Sequence, residues 1–290
     1  VQSNEDWNRL LDNAVSPVMD VKGKYIQLAY PVEQLKKLAY GKGKELAENY
    51  DKIMQVQYDF SGATKYNRIP KKRILARVNF NYFMFRDGDG VAFEGTDGTM
   101  KAAIGPEVTT NWGIHHEIGH VMQMRPWLTW GGMTEVSNNL FSMYGTMSLG
   151  DSSRLSKRHI YEAAFSKVLN APEKQFIMCV KDPFHKLIHF WQIQIYADLM
   201  EHLRNQPHKG AGNASIHNMY EYIKLCCDFL KTDLTDFFDA WGFFQTGKFH
   251  VGDYGNYDFE VTPKMIEETK HYIASKNYPK PSMDVTKLTD

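Results

Sequence analysis

Two histidines four residues apart, His116 and His120, stand with Glu117 directly after the first of them. On a helix, positions four apart share one face about one turn from each other, which is what two imidazoles on one ion require. Glu117 is turned off that face. It can reach a water on an open coordination position without being a ligand, the placement of a general base in metal-assisted hydrolysis. The pattern is HExxH, and the chemistry it suits is that of one catalytic zinc ion.

A catalytic zinc takes a third protein ligand and keeps one position open. Between Val121 and Gly150 there is no His, Cys or Asp and a single Glu, Glu135. A layout with a third His six residues after the second is excluded, because position 126 is proline. The ligand set is therefore His116, His120 and Glu135.

Two helices must hold these residues. Val121, Met122 and Met124 continue the first as apolar positions, and Pro126 disfavours helix at Arg125. The Gly131-Gly132 pair breaks the chain, and Val136, Leu140, Phe141, Met143 and Tyr144 give the following segment helical periodicity. Asn139 lies one turn beyond Glu135, placed to hydrogen-bond a ligating imidazole and fix its tautomer.

The segment WGIHHEIGHVMQ followed by TEVSNN closely resembles the enhancin-like, mucin-degrading zinc metallopeptidases, gluzincins with a thermolysin-like metal site. VKGKYIQLAYPVEQL and NYFMFRDGDGVAF are similar to that family's β-rich N-terminal half, and HFWQIQIYADL and DAWGFF to its helical C-terminal half. The resemblance implies His116, His120 and Glu135 as ligands, Glu117 as base, an O-glycosylated protein as substrate, and a secreted, periplasmic or cell-surface location. It also allows for carbohydrate-binding modules attached outside this chain. Asn139 departs from the broader thermolysin pattern, which has an aspartate there.

Composition narrows the partners. Lys+Arg and Asp+Glu both number 34, so nothing favours nucleic acid or an acidic membrane surface. No apolar run reaches membrane-spanning length, and no signal peptide opens the chain. At 290 residues the chain can bury roughly 75% of its unfolded surface, enough for a sizeable enzyme. Three cysteines are too few for a disulfide framework.

Taken in order, the chain predicts a helix over Asn4–Val15 capped by Asn4, a strand over Lys24–Tyr30, and a helix begun by Pro31 and running to about Tyr40. A helix over Lys42–Gln57 follows, then strands over Ile74–Phe80 and Tyr82–Phe85 and a hairpin turn at Asp87–Gly90. The returning strand, Val91–Glu94, is expected at the sheet edge, where an extended peptide can add by main-chain hydrogen bonds. Helices are expected over Ser153–Asn170, Asp182–Arg204, Ala214–Lys231, Leu234–Trp241 and Pro263–Ser275. Phe184, Leu187, Ile188, Trp191, Ile195 and Leu199 make one apolar face of the second. His185 and His189 on that helix lack an intervening acid and read as ordinary helix histidines.

The fold class is α+β and zincin-like. Residues 1–110 form a β-rich part, 111–277 the zinc-motif helices and a helical part, and 278–290 a tail or linker, with the metal in the cleft between the two halves. The Gly- and Tyr-rich connection over Phe243–Val261 offers His250, Tyr254 or Tyr257 to the oxyanion. Trp112, Trp127 and Trp130 flank the motif as candidates for stacking on a sugar. Three functions compete: a zinc endopeptidase of mucin-like glycoproteins, a zinc peptidase with no glycan requirement, and a non-catalytic glycan- or peptide-binding module. An intact HExxH with a third Glu argues against the last.

Overall fold

The computed structural model describes residues 1–194, 196–207 and 216–290. They cluster into two compact units, one of Val1–Met122 with Phe141–Asp151 and one of Gln123–Leu140 with Ser152–Asp290. The chain is mixed α and β, and its larger sheet lies in the N-terminal half.

That sheet has five strands, β1 (Val18–Lys22), β2 (Ile26–Pro31), β3 (Ile74–Asn79), β4 (Met84–Asp87) and β5 (Gly90–Glu94), ordered β1-β2-β3-β5-β4. β2, β3 and β5 run parallel, and the two outer strands are antiparallel to their neighbours. The edge expected at Val91–Glu94 is therefore corrected. β5 pairs with both β3 and β4, and the edge on that side is β4. The reason is visible in burial: Gly90 to Phe93 are all buried, as in a strand covered on both faces, whereas β4 is half-buried or exposed throughout. β1, with Val21 as its one buried residue, has too little apolar patterning to be read from sequence.

Helices α1 (Asn4–Asp12), α2 (Val32–Ala39), α3 (Gly43–Phe60), α4 (Asp97–Ile104) and α5 (Trp112–Met122) complete this part, and α6 (Thr134–Ser148) follows. Ser3, not Asn4, caps α1 by accepting from the Asp6 amide at 3.1 Å; Asn4 is drawn instead to Glu45 at 3.0 Å and the Lys44 amide at 3.1 Å. α4 was hidden by Gly98 and the glycines flanking it, yet it buries Met100, Ala103 and Ile104 on one face. α4 and α5 pack on β5, and α3 on β2. The core between them includes Leu28, Tyr50, Ile53, Val78, Phe93, Ile114 and Ile118, and each fully buried large aliphatic side chain contributes about 1.5–3 kcal/mol. Tyr50 orders the polar points inside it, donating to the Ala103 carbonyl at 2.8 Å and lying 2.6 Å from the Tyr30 hydroxyl.

The second unit is mostly helical: α7 (Arg154–Lys157), α8 (Ile160–Ala164), α9 (Pro183–Ile193), α10 (Ala197–Arg204), α11 (His217–Leu230), α12 (Thr235–Ala240) and α13 (Pro263–Ser275). A hairpin of β6 (Gly247–Gly252) and β7 (Asn256–Val261) fills the Tyr-rich connection. Two of the long helices expected are broken where a non-glycine residue turns left-handed, at His159 (φ 53°) and at Gln194 (φ 50°). Ile195 and the expected helix start at Ala214 lie outside the described residues. α9 is the unit's centre. Asp182 caps it and every residue from His185 to Ile193 is buried. Residues 278–290 lie against it, with Trp191 donating to Asp290 at 2.7 Å and Gln192 to the Thr286 and Leu288 carbonyls at 2.7 and 3.0 Å.

His189 sits inside this core against Phe190 and Phe243, and burial pulls its pKa down to about 3. The folded state therefore holds His189 neutral while an unfolded chain protonates it near pH 6.5. Its stabilising share is complete above pH 6.5 and is lost as pH falls from 6.5 towards 3, with a slope of up to about 1.4 kcal/mol per pH unit. Urea unfolding of metal-free protein across that window should give a shallower acid dependence for His189→Leu than for the parent. An unchanged slope would show that His189 does not drive it.

Candidate metal centre

Helix α5 presents two opposed faces. Ile114 and Ile118 are fully buried in the sheet-side core. His116 and His120 are two residues further on in each case, about 200° round the helix, and so are carried away from that core. Packing one pair aims the other.

His115 secures the helix. Its Nε2 donates to the Thr109 carbonyl at 2.8 Å and its Nδ1 accepts from Gln57 Nε2 at 2.7 Å, a tautomer assigned from the fixed acceptor at Thr109. Gln57 also donates to the Phe141 carbonyl at 3.2 Å. Burial pulls the pKa of His115 down to about 4, so the ring is neutral at neutral pH. Gly145 makes the contact possible: a Cβ there would lie 2.2 Å from His115 Nδ1. The histidine next to the motif is thus a structural pin.

The rings of His116 and His120 stand 4.8 Å apart, centroid to centroid, with their planes at 86°. Ligand atoms of His116, His120 and Glu135 all lie within 4.8 Å of one another, close enough for one small ion to draw them together. Two imidazole nitrogens and a carboxylate oxygen form a donor set that zinc accepts in sites with an open fourth position. Glu117 and His120 are buried, and His116 and Glu135 are half-buried. Among the described residues this is the one group of three such side chains with their ligand atoms so close together.

Glu135 is the second residue of α6. Gln123, just past α5, donates to the Thr134 carbonyl at 2.7 Å and to Ser137 Oγ at 2.8 Å, tying the chain between the helices to the start of α6. Asn139 is buried and donates to the Glu135 carbonyl at 2.8 Å, one turn back. The residues proposed from the Tyr-rich connection all fall on or beside the β6–β7 hairpin. His250 Nδ1 lies 2.7 Å from the Asp258 carboxylate, Tyr254 is 88% exposed at the tip, and the ring of Tyr257 covers Gly131, where a Cβ would lie 2.6 Å from it.

The three tryptophans separate. Trp130 is fully buried against Phe190 and Tyr222, its indole N–H directed to Met178 Sδ at 3.2 Å, so it has no face to offer a sugar and that expectation is corrected. Trp112 and Trp127 are half-buried. Trp127 lines a cavity of about 240 Å³ with Asn218, Glu221, Asp228 and Tyr272.

Sequence reasoning expected a strand over Tyr82–Phe85 but missed that this strand, β4, is the edge and that the aromatic residues before it are exposed. Gly113 in the first turn of α5 faces Met84, whose Sδ would lie 2.8 Å from a Cβ, so β4 runs beside the motif helix. Phe80, Tyr82 and Phe83, just before β4, are 74%, 68% and 65% exposed, and the Asn79 carboxamide orders their loop by accepting from the Asn81 and Tyr82 amides at 3.0 and 2.9 Å. Aromatic residues at strand-like spacing signal core, and only burial tells these apart.

Known proteins place this arrangement. The family model for peptidase M60, enhancin and enhancin-like, matches residues 1–242. A metallopeptidase in complex with Tn antigen shares the fold at a TM-score of 0.83 and 22% identity, covering 100% of this chain and 56% of its own. A metallopeptidase from Bacteroides thetaiotaomicron gives 0.79 and 21%, covering 98% and 50%. The M60 catalytic domain of ZmpC from Clostridium perfringens, in complex with the sialyl T antigen, gives 0.67 and 18%, covering 98% and 53%. This chain thus spans about half the length of these structures, and a comparison with curated proteins finds no match. With the HExxH helix, the glutamate of the next helix and a family match over 242 residues agreeing, the chain belongs to the peptidase M60 family of enhancin and enhancin-like metallopeptidases.

Proposed function

We propose that this chain is a zinc endopeptidase that cleaves peptide bonds in O-glycosylated, mucin-like glycoproteins, and that it works at a secreted, periplasmic or cell-surface location. The observation that carries the reading is the trio of His116, His120 and Glu135 within 4.8 Å, with Glu117 buried beside it on the same helix. Zinc, when bound by that trio, supplies a Lewis acid for the scissile carbonyl and lowers the pKa of the attacking water. Glu117 takes the proton from that water and hands it to the leaving amine. Asn139 holds the backbone of Glu135 and so the ligand's helix turn. Of the oxyanion candidates, Tyr257 rests on the loop that leads to Glu135, whereas His250 is engaged by Asp258 and Tyr254 stands out at the hairpin tip.

The peptide lies along β4, whose outer edge is unpaired among the described strands. Selectivity has to come from binding energy away from the metal, since the zinc chemistry is indifferent to sequence. Tn antigen and sialyl T antigen are the ligands of two similar structures, and on this chain the Trp127 cavity is the candidate for a sugar, since Trp127, Tyr222 and Tyr272 stand there among carboxamide and carboxylate groups. Trp112 is the second stacking candidate. No described helix is long and apolar enough to cross a membrane. Carbohydrate-binding modules on the remainder of a longer protein would add avidity for a glycosylated surface.

Glu117→Gln should keep zinc and lose hydrolysis; metal analysis of the purified variant checks this, and zinc loss or near-parental turnover would reassign the residue. Glu135→Ala should abolish tight zinc binding, while Asn139→Ala should weaken it about 10- to 100-fold at most. Equal zinc affinity in the parent and Glu135→Ala would remove the third ligand. Matched peptides, bare and with one GalNAc on Ser or Thr, test the substrate: kcat/KM should favour the glycopeptide, and Trp127→Ala should cut that preference at least about fivefold, the equivalent of about 1 kcal/mol. Equal kcat/KM on the two peptides would leave a general zinc peptidase.

A further inference from the structure

The loop before Glu135 is held from outside by a charged clamp. Gly131 and Gly132 turn the chain into α6, and Gly132 has a φ of 90°, in the left-handed region that glycine tolerates. One carboxylate oxygen of Asp253, from the β6–β7 turn, accepts from the Gly132 amide at 3.0 Å and from the Thr134 amide at 2.9 Å. Lys186 of α9 donates from the other side, to the Gly132 carbonyl at 3.0 Å. The Gly132 residue is therefore gripped at both its backbone polar groups by side chains of opposite charge.

Several features mark this as more than a surface contact. Lys186 is buried, and burial lowers its pKa while the charge of Asp253 raises it. A buried ammonium is costly unless paired and hydrogen-bonded, so the chain sustains it here against that cost. Thr134 is the first residue of α6, and its amide is one that the helix leaves without an internal acceptor. The hairpin also closes over the glycines sterically: a Cβ on Gly131 would meet the Tyr257 ring at 2.6 Å, and one on Gly132 would meet Val251 Cγ1 at 2.9 Å. Glu135 follows Thr134 directly.

We infer that Asp253, with Lys186 opposite it, is a positioning residue that sets the start of α6 and thereby the register in which Glu135 is offered to the metal. The inference rests on Glu135 being a ligand. A negative charge at the helix N-terminus is also favourable to α6 itself. What separates positioning from simple stabilisation is that the effect must appear in metal affinity, because the three donors have to converge on one point and two of them are fixed on α5.

Chelator-buffered zinc titration of the full chain tests this, read beside the melting temperature of the zinc-free protein. Asp253→Ala should lose about 10- to 100-fold in zinc affinity, the range for a residue that orients a ligand. Asp253→Asn, which keeps an oxygen for both amides, should stay within about threefold of the parent, as should Lys248→Ala on the same hairpin. Asp253→Glu pushes the carboxylate out by one methylene, and should lose at least about threefold if the alanine variant does not fold. Glu135→Ala serves as the reference: if it keeps the parent's affinity, the ligand assignment fails and not the clamp. If Glu135→Ala loses zinc while Asp253→Ala and Asp253→Glu bind it as the parent does, with only the zinc-free melting temperature lowered, the clamp is merely structural and the inference is overturned.

Discussion

The convergence of His116, His120 and Glu135, whose ligand atoms lie within 4.8 Å of one another, is the constraint to which the surrounding structure answers. Two of these side chains come from one turn of α5 and the third from the first turn of α6, with 11 residues, 123–133, from the end of one helix to the start of the next. An imidazole pair on a helix needs only a fixed helix. A carboxylate from another helix needs the second helix to begin at the right place and angle. The chain solves the first with apolar burial of Ile114 and Ile118 and the His115 pin, and the second with polar grips on backbone groups by Gln123, Asp253 and Lys186. Apolar contact is strong but tolerant of sliding, whereas hydrogen bonds fix position within tenths of an ångström.

Histidine shows how the same side chain is assigned different work by its surroundings. His115 and His189 are fully buried and held neutral by burial, with pKa values of about 4 and 3. One pins a helix through both ring nitrogens and the other fills an aromatic core. His116, half-buried, stands with His120 and Glu135 where a cation can reach it. A neutral imidazole is what a metal needs and what a core tolerates, so the difference lies in what faces the ring and not in the ring itself.

The exposed edge follows from the order of the sheet. Parallel strands β2, β3 and β5 are buried within it, and the edge beside α5 is left to the short strand β4. An edge strand is a liability for aggregation unless it is short, charged or used. β4 is four residues long and carries Arg86 and Asp87, with three exposed aromatic side chains before it. That combination is consistent with the peptide track proposed along β4.

The grouping of His116, His120 and Glu135 was legible in the sequence because its rule is local: spacing within a helix, a proline that bars one layout, and a single glutamate in the following segment. Helix α13 was legible as well, expected and found over Pro263–Ser275. The edge strand was misassigned because which of β4 and β5 is interior depends on pairing with β3, which no pattern within either strand announces. Trp130 and Trp127 are three residues apart, one sealed in the core and one on a cavity wall, a distinction that no composition or periodicity carries. The clamp was invisible altogether. Asp253 and Gly132 are 121 residues apart, and a hydrogen bond between a side chain and a distant backbone amide leaves no pattern in either segment. Short-range geometry is written in spacing, but which side chain meets which backbone is settled only when the chain has closed.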